Sequence, residues 1–147
     1  MVRVGGVLAI DFGEKKTGFA GADPLRIAVR ALGVCRHGPD REVLYDHVSS
    51  LLAERDVDTL LVGRPLHMDG TVGERARAAG AFATELARRF SAARLVLYDE
   101  RLTSKAAEEL LWEAGYHGRE IAERRDSWSA LVLLRDWIAS GEPYDAP

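Results

Sequence analysis

Acidic residues follow two apolar runs of the sequence. Asp11 comes directly after residues 7–10, and Asp99 and Glu100 come directly after residues 95–98. The first run is apolar at every position, which is typical of a strand covered on both faces. If the two strands are parallel neighbours, their acids meet at the carboxyl edge of a sheet, where open α/β sheets bind ligands. The spacing therefore predicts that Asp11 and Glu100 share one site.

Two carboxylates in one crevice repel each other unless a cation compensates them. No basic residue follows Asp11 until Lys15, so a bound divalent metal is the economical explanation. Ligands that are all oxygen favour magnesium or manganese. The alternative is structural, because acids that follow strands often serve as turn residues, and Asp126 could simply cap the last helix. The residues alone leave both interpretations open.

The other chemically versatile residues form no recognised site. Cys35 has no identifiable partner and is predicted to be a buried strand residue. Gly13 and Gly18 fit neither a Walker loop nor a dinucleotide-binding pattern. Trp112 lies off the apolar stripe of its helix, and partial burial, stacking on a base and a subunit contact are all compatible with it. The histidines match no zinc or catalytic-triad signature, and we expect them on the surface or in loops: His37, His47, His67 and His117.

The apolar pattern also predicts the elements that position the acids. Strands are expected at residues 7–10, 18–20 and 28–35, with short connections that suggest an antiparallel meander. Further strands at 59–62 and 95–98 alternate with helices around 44–52, 79–90 and 107–114, and a last helix follows the charge-rich stretch 115–125. The βββαβαβα order predicts an α/β fold, in which a mixed sheet carries helices on both faces. This order resembles that of the ribonuclease-H-like fold.

Length and composition narrow the class of protein. A chain of 147 residues predicts one domain, which we assign to residues 1–140, followed by a short acidic tail at 141–147. Apolar residues at 47% and charged residues at 29% exclude a disordered or fibrous chain. One cysteine excludes a disulfide framework. No apolar run approaches the roughly 18 residues that a membrane span needs, so we expect a cytoplasmic protein that does not bind membranes.

The distribution of charge bears on nucleic-acid binding. The net charge of −3 argues against a general nucleic-acid coat protein. However, residues 14–36 carry five bases and two acids, and residues 73–94 carry the same numbers, whereas residues 37–58 carry two bases and six acids. A local basic face is therefore compatible with the sequence, although such charges can also merely solvate helix faces.

Four motifs in order resemble those of the YqgF/RuvX family of small ribonuclease-H-like nucleases. They are DFGEKKTGFA at residues 11–20, DPL at 23–25, VGRPLHMDGT at 62–71 and DERLTS at 99–104, and a late acid, Asp126, follows them. The likeness spans nearly the whole chain. Three departures from the family pattern occur: Arg64 stands where an apolar residue is more usual, Gly21-Ala22 precedes Asp23, and Trp128-Ser129 interrupts the start of the last helix.

The resemblance implies a site as well as a fold. It assigns Asp11, Glu100 and Asp126 to an acidic centre that binds two Mg²⁺ or Mn²⁺ ions and hydrolyses a phosphodiester. Basic side chains around this centre would bind the phosphates without recognising the nucleotide sequence. The candidates for substrate binding are Lys15, Lys16, Arg75, Arg77, Arg101, Thr103 and Lys105.

The leading hypothesis is a metal-dependent endonuclease that acts on structured nucleic acid. Two substrates are proposed within the family, a four-way DNA junction and the 5′ end of precursor 16S ribosomal RNA. Symmetric cutting of a junction would require a homodimer, because two active sites must be related by a two-fold axis. The alternatives are a non-catalytic nucleic-acid-binding factor for ribosome assembly and, less favoured, a phosphate-loop ATP-binding domain.

Overall fold

A computed structural model describes residues 5–67, 69–100 and 103–144, without the side chains of residues 100, 103 and 104. The elements follow the order expected from the sequence. They are β1 (Gly6–Asp11), β2 (Lys16–Ala22), β3 (Val29–Arg36), α1 (Arg41–Ala53), β4 (Val57–Pro65), α2 (Glu74–Arg89), β5 (Arg94–Glu100), α3 (Thr103–Glu113) and α4 (Arg119–Ala139). None of the helices in these ranges is long and apolar enough to cross a membrane.

The strands form one mixed sheet in the order β3-β2-β1-β4-β5. The β1-β2-β3 part is antiparallel, and β1, β4 and β5 are parallel to one another. The predicted antiparallel start and parallel crossovers are therefore confirmed. One expectation is wrong: the strands that carry Asp11 and Glu100 are not neighbours, because β4 pairs with both and lies between them. Their carboxyl ends still reach the same edge of the sheet.

The last helix begins earlier than the sequence pattern suggested. The stretch 115–125 was expected to separate two helices, but α4 already starts at Arg119, directly after Gly118 with φ of 57°. Its first turns pack beside α3, where Arg125 pairs with Glu108 at 3.2 Å. Because these turns lie beside a helix and not over the sheet, they carry charged residues and show no apolar stripe.

Helices cover both faces of the sheet, as predicted. The face beneath α1 and α2 is filled by large side chains, among them Leu8, Ile10, Phe19, Leu44, Phe82 and Leu86. The face beneath α4 has smaller strand residues under larger helix residues, among them Val7, Ala9, Ala20, Ala22, Leu134 and Trp137. The strand residues are therefore smaller on the face beneath α4 than on the face beneath α1 and α2. Helix α3 packs on α4.

The segment after α4 folds back onto the domain. Two of the three guanidinium nitrogens of Arg26 donate to the Glu142 carboxylate, Nε at 3.0 Å and Nη2 at 2.9 Å. The hydrogen bonds to Glu142 raise the pKa of Arg26. The indole N–H of Trp137, a fully buried side chain, donates to the carbonyl oxygen of Pro143 at 3.0 Å. These bonds fix the described residues of the tail at the edge opposite the acids.

Candidate active site

Asp11 is the last residue of β1 and is half-buried. In the antiparallel register it lies opposite Gly18 of β2. Side chains alternate along a strand, so Asp11 projects from the same face as Val7 and Ala9, which pack beneath α4. Asp11 therefore stands where the apolar core under α4 ends and the carboxyl edge of the sheet begins.

Asp126 reaches this position because α4 crosses β2 at close range. A β-carbon at Gly18 would collide with the backbone carbonyl oxygen of Asp126, so the helix backbone lies directly over this glycine. The contact places Asp126 beside Asp11, which is the cross-strand partner of Gly18. The alternative role of Asp126 as a helix cap is wrong, since α4 begins seven residues earlier at Arg119.

Ser127 fixes the depth at which α4 sits. Its hydroxyl donates to the carbonyl oxygen of Phe19 at 3.0 Å and accepts from the amide of Gly33 at 2.8 Å. The side chain is buried. One serine thus ties α4 to both β2 and β3, immediately next to the carboxylate of Asp126.

Lys16 supplies positive charge to the acidic site. Its ammonium group lies 2.9 Å from Oδ2 of Asp126. Lys16 begins β2, two residues before Gly18, so the strand that receives α4 also carries the counter-charge. The pair is partly exposed, so its contribution to stability is about 1 kcal/mol or less. Its value is in orienting the Asp126 carboxylate.

Glu100 ends β5, where its backbone is in register with Pro65 of β4. The backbone position lies at the same sheet edge as Asp11, but the Glu100 side chain is outside the described part of the structure. Among the described side chains, no group of three or more His, Cys, Asp or Glu residues is close enough to hold a metal ion. The backbones of Asp11 and Asp126 therefore lie close to each other, and the backbone of Glu100 ends at the same edge of the sheet.

The loop after Asp11 is held by His37, a residue that the sequence analysis placed on the surface or in a loop. His37 is buried, and its backbone amide donates to the carbonyl oxygen of Lys15 at 3.0 Å. Its Nδ1 donates to the carbonyl oxygen of Gly38 at 2.6 Å, so in the neutral ring Nε2 accepts from the Thr17 hydroxyl at 2.9 Å. No spacing signal in the sequence revealed this role, because residues 15 and 37 meet only through β2-β3 pairing.

His47 departs from the expectation of a surface or loop residue, whereas the buried His37 does lie in a loop, between β3 and α1. It lies on α1 with its ring 5.0 Å from the ring of Phe19. Its Nε2 is buried and has no hydrogen-bond partner among the described residues. Burial lowers the pKa of His47, because a charged imidazolium would be poorly solvated there.

The predicted phosphate-binding residues lie in different settings. Lys15 is exposed on the loop after β1, and Arg75 and Arg77 are exposed on the first turn of α2. Together with His67, these two arginines line a groove of about 520 Å³ beside the end of β4. Lys105 is exposed on α3, and Thr103 is the first residue of that helix. Arg101 and the Thr103 side chain lie outside the described residues.

Arg64, one of the departures from the family pattern, forms an ion pair across two strands. It is in register with Asp99, and the two pair side by side, with Nε to Oδ1 at 2.5 Å and Nη2 to Oδ2 at 2.9 Å. The hydrogen bonds to Asp99 raise the pKa of Arg64. The carboxylate of Asp99 is therefore paired with Arg64 at the end of β5, where the next residue along the strand is Glu100.

Comparison with known proteins identifies the family. A sequence profile of RuvX, described as Holliday junction resolvase, matches residues 5–140. The chain belongs to the RuvX family. Relatives bearing the name "Putative pre-16S rRNA nuclease" include one from Anaeromyxobacter sp., 41% identical over 89% of this chain and 94% of the relative. Another, from Saccharophagus degradans, is 36% identical over 93% of this chain and 95% of the relative.

Solved structures support the ribonuclease-H-like arrangement of this RuvX chain. RuvC of T. thermophilus in complex with a Holliday junction substrate is similar, with a TM-score of 0.58 and 16% sequence identity. The similarity covers 95% of this chain and 98% of the RuvC chain. At this level of identity the likeness concerns the fold alone.

Proposed function

We propose that this RuvX chain is a metal-dependent nuclease that hydrolyses phosphodiester bonds in structured nucleic acid. The observation that carries the proposal is the packing of α4 on Gly18, which sets Asp126 beside Asp11 at the carboxyl edge of the sheet. The backbone of Glu100 ends at the same edge. In this proposal residues 1–140 are one nuclease domain and residues 141–147 are a short acidic tail.

The donor chemistry at this edge fits a hard divalent cation. Asp11 and Asp126 offer only carboxylate oxygens, and the Lys16 ammonium group beside Asp126 supports the view that positive charge is favoured at this edge. Together with Glu100, these acids would hold Mg²⁺ or Mn²⁺, two ions in the full site, because such ions prefer oxygen ligands. Bound ions would activate water and stabilise the oxygen that leaves phosphorus.

The side chains around the acids would bind and orient the phosphate backbone. Lys15 projects from the loop after Asp11, and Arg75 and Arg77 line the groove at the start of α2. Arg101, Thr103 and Lys105 extend the same role along the β5-α3 connection. Contacts of this kind fix the register of a nucleic acid without reading its sequence. Lys16 orients Asp126 and neutralises its charge, which lowers repulsion of an incoming phosphate.

We propose the 5′ end of precursor 16S ribosomal RNA as the substrate, since the relatives that align over most of this chain carry that activity in their name. One active site suffices for this reaction, which would take place in the cytoplasm. A four-way DNA junction is the second candidate, favoured by the description of the family. Cutting a junction symmetrically would require a homodimer.

The decisive experiment incubates a labelled four-way DNA junction and a labelled precursor 16S RNA fragment separately with the protein in Mg²⁺ or Mn²⁺. Asp11→Asn and Asp126→Asn are compared with Asp46→Asn, an exposed carboxylate on α1. We expect cleavage of the RNA to require metal and to fall by about 10³-fold in both site variants, since several kcal/mol of charge stabilisation is lost.

Each outcome has a distinct meaning. Cleavage of the junction alone, together with a dimer in solution, would move the assignment to a resolvase. Binding of either substrate without metal-dependent cleavage, unaffected by Asp11→Asn, would replace the nuclease by a non-catalytic ribosome-assembly factor. A calorimetric titration with Mn²⁺ reports on the acids independently, because Asp11→Asn should weaken metal binding even where cleavage is not observed.

A further inference from the structure

A groove on the outer side of α3 shares only Lys105 with the residues that we assign to the proposed nuclease site. It has a volume of about 450 Å³ and lies between α3 and the start of α4. We name it the Trp112 groove, and its lining residues are Lys105, Glu108, Glu109, Trp112, Glu113 and Ile121. This surface combines one large aromatic ring with several carboxylates.

Trp112 is the aromatic centre of this groove. Its side chain is 61% exposed, although burial of an indole side chain is favourable relative to its exposure to water. The only ring contact that it makes within the described residues is an edge contact with His117, with ring centroids 4.2 Å apart. Exposed tryptophans of this kind are frequent among the residues that dominate binding at protein interfaces. The described residues therefore leave most of the Trp112 side chain uncovered.

The charges around Trp112 select the kind of partner. Glu109 and Glu113 lie one helical turn apart on the same side of α3, and Trp112 is next to Glu113. In the part of the chain that the structure describes, neither carboxylate has an ion-pair partner. The nearby arginines are engaged elsewhere, because Arg125 pairs with Glu108 and Arg124 stacks over the ring of Tyr116. The lining also carries the Lys105 ammonium group, but its three carboxylates outnumber this charge, so negative charge prevails beside the indole.

This combination separates two partners that could both use an exposed indole. A nucleic acid could stack a base on Trp112, but its phosphates would face the carboxylates of Glu109 and Glu113 and be repelled. A guanidinium group gains from both features, since it stacks on an indole face and forms paired hydrogen bonds with carboxylates. We propose that the Trp112 groove binds an arginine-rich segment of a partner protein.

The proposal is independent of the nuclease chemistry. The Trp112 groove is lined by α3 and by Ile121 in the first turn of α4, whereas Asp126 lies five residues further along α4. Loss of cleavage in Asp11→Asn would leave binding to the groove unchanged. A protein segment held here would be carried beside the acidic edge of the sheet, because α3 begins directly after β5.

The test measures fluorescence anisotropy of a labelled dodecapeptide of alternating arginine and glycine, added to the full chain. A peptide with citrulline in place of arginine keeps the shape and removes the charge. The variants are Trp112→Ala and the pair Glu109→Gln/Glu113→Gln. The pair Asp46→Asn/Glu54→Gln removes the same net charge at α1, on the opposite face of the sheet, and is the matched control.

We expect Trp112→Ala and the Glu109/Glu113 pair each to weaken the arginine peptide by about tenfold, as loss of a partly desolvated cation–π contact implies. The α1 control should change binding by less than about twofold, and the citrulline peptide should not bind. Equal losses in the α1 control, or equal binding of the citrulline peptide, would overturn the proposal. A loss of RNA binding in Trp112→Ala, with peptide binding intact, would assign the indole to base stacking. Circular dichroism verifies that the exposed substitutions leave the fold unchanged.

Discussion

The two faces of the sheet hold their helices in different ways. Beneath α1 and α2, the strands present large side chains such as Ile10 and Phe19, which pack against apolar side chains of the two helices. Beneath α4, strand β2 presents Gly18, Ala20 and Ala22, and the helix backbone touches the strand at Gly18. In β2 the small residues Gly18, Ala20 and Ala22 lie beneath α4, whereas Phe19 packs on the opposite face, so this strand contributes to both faces.

Because of this difference, we expect one face of the sheet to contribute mainly to stability and the other to the candidate active site. Large buried side chains contribute most of the transfer free energy, so the α1/α2 face is expected to dominate the free energy of unfolding. The α4 face gives up buried volume at Gly18 and gains a close approach that places Asp126 beside Asp11. Substitutions on the two faces should therefore affect different measurements.

The largest effect on stability is expected for Leu86→Ala on the α1/α2 face. Leu86 is fully buried, and its truncation should lower the free energy of unfolding by about 2–5 kcal/mol. Cleavage per folded molecule should stay close to that of the wild type. Denaturant unfolding measures the first quantity, and Val43→Ala, exposed on α1, is a control that should change it by only about 0.5 kcal/mol. A specific loss of cleavage in folded Leu86→Ala would contradict the division between the faces.

Gly18→Ala should break the α4 face at its closest contact. The added β-carbon would collide with the backbone of Asp126, so α4 must move, at a cost of about 1–3 kcal/mol. Because Asp126 moves with the helix, we expect cleavage to fall by about 10²-fold even in folded protein. Metal-dependent cleavage of the RNA fragment measures this.

Gly80→Ala is the matched control on the other face. Gly80 lies within α2, and a β-carbon there meets nothing within 4 Å. The substitution should stabilise the protein by about 0.5–1 kcal/mol, because alanine favours a helix over glycine. If Gly18→Ala and Gly80→Ala behave alike, the close packing of α4 has no functional meaning.

Ser127→Ala tests the packing of α4 on the sheet by removing a single hydroxyl group. It removes both the donor to the Phe19 carbonyl and the acceptor for the Gly33 amide. We expect a loss of about 1–2 kcal/mol in stability, together with weaker cleavage, since Asp126 is adjacent. Ser129→Ala removes a buried hydroxyl whose hydrogen bond among the described residues stays within α4, to the carbonyl oxygen of Arg125 at 2.8 Å, and should cost less. A larger effect for Ser129→Ala would mean that Ser127 does not fix the helix.

The smallest expected effect is on the pH dependence of the free energy of unfolding, and it involves His47 on α1. Burial lowers the pKa of His47 in the folded protein below the ordinary value of 6.5. As the pH falls, His47 is therefore protonated at a higher pH in the unfolded chain than in the folded protein. This contribution to stability is complete above about pH 6.5 and is lost progressively below it. His47→Gln should therefore show a shallower decline of the free energy of unfolding between about pH 7 and 5. An identical slope in the two proteins would show that His47 does not take part.

Several features of the site could be predicted because they depend on local sequence. The apolar runs before Asp11 and Glu100 specify strands, and the change from strand to helix spacing after residue 36 specifies the crossovers. The four motifs in their order, and not the one around Asp11 alone, indicated the family, which the RuvX profile then showed. The position of β4 between β1 and β5 was not visible, since strand order depends on contacts between residues far apart in the chain.

The sequence by itself determined the elements, their order and the acids that end two of the strands, because side-chain periodicity and turn residues act over a few neighbouring positions. Only the tertiary structure decided which of these residues meet. Asp126 reaches Asp11 through a glycine in a third element, His37 is buried through the pairing of β2 with β3, and Arg64 finds Asp99 across two parallel strands. Such contacts join residues that are 20 to 115 positions apart, and packing of the whole chain determines them.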